Sequence, residues 1–205
     1  MSLLLVSLLT FSVPANSRQA LQLNKDNTIV LNDQVDRSSV KDVINQLREK
    51  DKILPGNEPI YLILNTPGGS VIDGMDIVSM AQSLKRPVHT VTVFAASMGF
   101  VIAQHLNIRY ILQNGILMSH RMKTGMGAAE VGGELDEALS FAKAISRVIN
   151  NICAQRLSMS VEAYEARIAD EWWLYGQHAV DNKAADEIIT VSCSEGLINV
   201  GKCPF

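Results

Sequence analysis

Residues 60–71, IYLILNTPGGSV, run from a continuous apolar stretch through Pro67, Gly68 and Gly69 into IDGMDIVSMAQSL, whose pattern is that of an amphipathic helix. The β-branched and aromatic content of IYLIL predicts a buried strand, and the helix is expected from about Val71 to Leu84. A strand, a turn and a helix in this order are one unit of an α/β fold with parallel strands.

The same alternation continues on both sides. Upstream, TIVLN (28–32) reads as a strand and VDRSSVKDVINQLREKD (35–51) as a helix, with Val40, Val43, Ile44 and Leu47 at spacings of three and four. Downstream, VHTVTVF (88–94) is a third strand, followed by the short apolar helix SMGFVIAQHL and two brief strands near RYIL and ILMSH. A glycine-broken connection (123–133) then leads into a helix expected from Glu134 to about Leu157, and Ser160 caps its continuation. A helix this long exceeds what a small core needs, so its far end is expected to reach a neighbouring subunit. EIITV (187–191) is the last strand. No internal repeat or low-complexity segment interrupts the chain.

At 205 residues, with 47% hydrophobic and 19% charged content, the chain has the size and composition of one globular domain, residues 21–205, behind a leader, residues 1–20. A net charge of −3 without basic runs excludes nucleic acid as an expected partner. The leader carries an apolar stretch from Leu3 to Phe11 and then Val13-Pro14-Ala15, which resembles a signal-peptidase site. It is too short to span a bilayer, which takes roughly 20 apolar residues. The expected location is exported, periplasmic or membrane-associated. The lack of any Lys or Arg ahead of the apolar stretch keeps open a cytoplasmic alternative, with the arm packed on a partner subunit. Cys193 and Cys203 flank a glycine-containing tail that would let them pair in an oxidising compartment, and Cys153 falls in a helical pattern as a buried thiol.

Three places carry candidate chemistry. Ser97, in FAASMGF, ends a buried strand, begins a helix and has only small neighbours before it, so a substrate carbonyl could approach its hydroxyl. Its other reading is a helix N-cap beside packed alanines. His120 emerges at the end of GILMSH, at the same edge of the sheet. Gly68 and Gly69 leave the backbone bare, so that an extended peptide can lie alongside: Gly68 would make the turn and Gly69 offer its N–H, unless both merely permit positive φ. No two of the four histidines have metal-ligand spacing and no CxxC occurs, so neither a metal nor any other cofactor is expected.

NTPGGSVIDGMDI, AASMGF, LMSH and DEWW, in this order, resemble the proteolytic subunit of the Clp protease over about residues 25–191. The resemblance implies a Clp/crotonase-type ββα superhelix with a long protruding handle helix. It also implies a serine endopeptidase that cleaves unfolded proteins or peptides through an acyl-enzyme. Ser97 would be the nucleophile, His120 the base and later acid, and Asp170 the residue that orients the imidazole, with Glu171 as the alternative. Gly69 and Met98 would supply the oxyanion-hole N–H groups. The implied assembly is a homo-oligomer of stacked rings, fed by an ATP-driven unfoldase only if the protein is cytoplasmic.

Two positions depart from the pattern: no proline follows shortly after His120, and Lys183 stands where a glycine is usual. Two other readings share the fold. A signal-peptide-peptidase relative would use a lysine base, for which Lys85 and Lys123 are the candidates. A non-hydrolytic crotonase-type enzyme or scaffold subunit would not need Ser97.

Overall fold

The structure is a computed structural model that describes residues 20–123 and 132–204. Residues 1–19 of the leader and most of the glycine-broken connection lie outside the described residues.

A short strand, β1 (Leu21–Leu23), precedes β2 (Thr28–Leu31) and helix α1 (Arg37–Ile53). The helix starts at Arg37 because Asp36 caps it: its carboxylate accepts from the N–H groups of Ser38 and Ser39, while Ser39 Oγ accepts from the Asp36 N–H. β3 (Ile60–Thr66), α2 (Val71–Ser83), β4 (Val88–Ala96), α3 (Met98–His105) and β5 (Arg109–Ser119) follow in alternation. Ser70 caps α2. The remaining elements are α4 (Gly133–Arg156), α5 (Val161–Arg167), β6 (Trp172–Tyr175), α6 (Gly176–Asp181), β7 (Glu187–Ile189), β8 (Val191–Cys193) and α7 (Glu195–Asn199).

The main sheet has the order β2-β3-β4-β5-β6, with β7 also paired to β5. Its pairs are parallel except β5–β6. Side chains alternate between its faces. Ile60, Leu62 and Leu64 of β3 belong to the large core under the helices, together with Phe100 and Ile102 of α3 and Ile149 and Cys153 of α4. Ile63 of β3 and Val91 of β4 point to the other face, into a second cluster with Leu23 and Leu197. The architecture is thus the α/β fold with largely parallel strands that the alternation predicts.

Three expectations change in detail. The two brief strands after α3 are one eleven-residue strand, β5, because its first part pairs with β7 and its last part with β6. EIITV is instead two strands: β7 joins the main sheet and β8 leaves it to pair with β1. TrpTrpLeuTyr forms β6, a strand absent from the sequence reading.

Candidate active site

Ser97 and His120 each follow directly on a strand and Gly68 follows β3 after one residue, Pro67; the three strands β3, β4 and β5 are neighbours running parallel. Positions far apart in the chain therefore converge at the carboxyl edge of the sheet, where α/β proteins bind ligands. The pairing Ala96↔Met118 sets the next residue, Ser97, beside Ser119, one position before His120. The Ser97 N–H donates to Met118 O at 2.8 Å, which fixes the crossing.

Ser97 has φ 54° and ψ −116°, a conformation that costs a non-glycine residue on the order of 1–3 kcal/mol. It stands at the N-cap position of α3, yet its side chain makes no capping hydrogen bond. The hydroxyl is thereby left to the cavity, and the N-cap reading of Ser97 loses its physical basis. Met98 N, in the first turn of α3, is one of the N–H groups a helix cannot satisfy internally.

The two glycines have different jobs. Gly68, at φ 92°, is pressed on the Ser97 turn: a Cβ there would lie 2.6 Å from Ala96 O, 2.7 Å from Ser97 Cβ and 2.8 Å from Met98 N. Gly69, at φ 148°, passes Val35 so closely that a Cβ would fall 2.3 Å from its carbonyl oxygen. Val35 N–H donates to Gly68 O and Ser70 N–H donates to Val35 O, both at 2.8 Å. In a parallel pairing of this kind the residue between the two bonded ones turns its own N–H the other way, so Gly69 N–H faces away from Val35. The sequence reading missed Val35 as the tether of this loop. Nothing local marks it, since its partner lies more than thirty residues on.

A cavity of about 270 Å³ is lined by Gly69, Ser97, Met98 and His120, and also by Lys123, Ser146, Asn150 and Tyr164 among others. His120 is half-buried, and its Nδ1 lies 2.6 Å from Arg121 O. That oxygen only accepts, so Nδ1 carries the proton and Nε2 is left as the acceptor. The buried Tyr164 hydroxyl lies 2.8 Å from Ser119 Oγ. Burial, opposed by Tyr164 and Arg109, pushes the nearby Cys153 thiol up to about 12, which makes it an inert part of the core.

The structure gathers Gly68, Gly69, Ser97, Met98 and His120 and leaves Asp170 apart. Asp170 is exposed and does not line the cavity. Glu171 is exposed too, with its carboxylate accepting from Trp173 Nε1 at 3.2 Å. β6 pairs Trp172 with Ser119, while Arg121 N–H donates to Ile168 O. The 168–172 side therefore has two more residues than the 119–121 side, and residues 169–171 loop out between the two pairings.

The sequence profile of the family described as Clp protease matches residues 15–192. The chain belongs to the Clp protease family. It is 32% identical over 171 residues to an ATP-dependent Clp protease proteolytic subunit of Streptococcus pneumoniae strain 70585, covering 82% of this chain and 87% of that protein. The proteolytic subunit of strain Hungary19A-6 is 31% identical over the same shares of both chains. Family membership makes this Clp protease relative a serine peptidase. Residues 193–205 fall beyond the matched span.

Proposed function

We propose that this chain is an endopeptidase subunit that cuts unfolded polypeptides or peptides through an acyl-enzyme on Ser97. The observation that carries the reading is the convergence, in one cavity, of the strained, uncapped Ser97, the His120 ring and the Gly69 and Met98 backbone. In this reading His120 Nε2 takes the Ser97 proton as Oγ attacks the scissile carbonyl. The N–H groups of Gly69 and Met98 receive the negative charge on its oxygen. The imidazolium then returns the proton to the departing amine. Water, deprotonated by the same nitrogen, releases the new carboxylate and restores Ser97. Asp170 is the carboxylate we assign to hold the imidazole, and it must displace the Arg121 carbonyl from Nδ1 to do so.

We further propose a ring-forming homo-oligomer, supported by the exposed Leu139, Phe141 and Val148 along α4. The relatives are named ATP-dependent, and an unfoldase partner follows for this chain only where ATP is present. We favour an oxidising compartment outside the cytoplasm, because Cys193 and Cys203 form a disulfide.

Lys123 lines the same cavity and supplies the second reading, a Ser–Lys dyad. A lysine base needs a desolvated amine, and Lys123 is exposed. A fluorophosphonate probe decides between the readings. Labelling at Ser97 that vanishes in Ser97→Ala and falls by orders of magnitude in His120→Ala supports the histidine base. Labelling that ignores His120→Ala and needs Lys123 selects the dyad. A protein that never labels lacks an activated nucleophile at Ser97, which overturns the acyl-enzyme reading.

A further inference from the structure

This inference rests on the peptidase reading and adds its substrate class. The cavity beside Ser97 has two kinds of wall. Val71, Met98, Val101, Met122 and Ile149 give it an apolar side, and Lys123, Ser146 and Asn150 give it a polar one. Among the described lining residues there is no carboxylate, and Lys123 is the permanent cation. Lys123 has no ion-pair partner among the described residues. Glu165 accepts from Asn150 Nδ2 at 3.1 Å and does not line the cavity.

The space of about 270 Å³ holds one medium side chain beside the attacked carbonyl. An apolar wall with a cation at one side suits a side chain made of methylenes ending in an anion. We propose that Lys123 is a specificity-determining residue that selects glutamate, and less strongly aspartate, at the substrate residue whose carbonyl Ser97 attacks. The stem of that glutamate lies along Val71, Met98 and Ile149, and its carboxylate takes hydrogen bonds from Lys123 Nζ and Ser146 Oγ. A substrate lysine there meets like charge, and a leucine satisfies only the apolar wall.

The test uses the full-length protein and internally quenched peptides that differ only at that residue, which is Glu, Gln, Leu or Lys. The readout is the ratio of kcat/KM values within each protein, so that differences in protein yield cancel. Wild type is expected to favour Glu over Lys by about tenfold, a modest factor because Lys123 is exposed and screened. Raising salt should shrink that ratio. Lys123→Gln should bring it close to one and Lys123→Glu should invert it. If Lys123→Glu cuts nothing, the Lys123→Gln ratio decides alone. A wild type that cleaves without preferring Glu, or a preference that survives both substitutions, overturns the assignment and leaves the peptidase intact. A wild type that neither labels with fluorophosphonate nor cleaves any peptide removes the peptidase reading, and this proposal with it.

Discussion

Ser97 sits where glycine would fold more easily, and that cost is offset by the bond from its N–H to Met118 O and by Gly68 packed against its Cβ. Substitution separates Asp170, as the orienting carboxylate, from its neighbour Glu171. Asp170→Asn should lower kcat at least a hundredfold with KM little changed, whereas Glu171→Gln should stay within about twofold, since its carboxylate serves Trp173. Equal, small losses in both would mean that the Arg121 carbonyl suffices to orient the ring. Ser97 and His120 were legible in the sequence because each directly follows an apolar run that ends a strand, and parallel neighbouring strands bring such ends together. The choice between Asp170 and Glu171 was not legible. It depends on the two surplus residues that loop out between Ile168 and Trp172, a property of pairing with a strand fifty residues away.

Among the elements, α4 carries apolar side chains that this chain alone leaves uncovered. Leu139, Phe141 and Val148 are 41%, 59% and 55% exposed, although a single chain gains nothing by presenting them to water. Phe141→Glu should therefore shift the assembly to smaller species in native mass spectrometry at micromolar protein. Unaltered secondary structure in circular dichroism would confirm that the helix itself survives. Lys183 closes the turn after α6 with φ 58°, a left-handed conformation that costs a side chain roughly 1 kcal/mol. Glycine adopts that conformation without the strain, and Lys183→Gly should raise the melting temperature by about 1–3 °C. Helix boundaries were readable from spacing and capping residues such as Ser160. Strand partition was not: the QNG segment looks like a break, but β5 bulges through it. Thr92 pairs with Ile111 and Phe94 with Ile116, so three more residues separate the pair on β5 than on β4.

For the molecule as a whole, an ion pair between a buried arginine and a partly exposed aspartate links its parts. Arg109, 5% exposed, donates from Nε to Asp186 Oδ2 at 3.1 Å, and its backbone N–H reaches the same oxygen at 2.8 Å. Burial raises the Asp186 carboxyl, but the Arg109 hydrogen bonds together with the charges of Arg109 and Arg156 outweigh it and hold the group below its ordinary value of 3.8. A lowered carboxylate stabilises the fold above its unfolded pKa, and that contribution is lost as pH falls through the folded value. Asp186→Asn should cost about 1–3 kcal/mol in urea unfolding at pH 7, a figure discounted because the carboxylate is 38% exposed. The gap from wild type should narrow as pH drops below about 4. The second face of the sheet depends on residues beyond the family's matched span: Leu197 is fully buried there, and the Cys193–Cys203 bridge closes a loop with a separation of 10 residues. Cys203→Ser should cost about 2–3 kcal/mol and increase binding of a hydrophobic dye; unchanged dye binding would mean the tail stays seated without its bridge. β8 pairs with β1, so the earliest described strand has no partner until residue 193 has been made. Biogenesis therefore leaves the apolar flank at β1 uncovered until β8 has been made, a late-closing surface of the kind that exposes a nascent chain to aggregation.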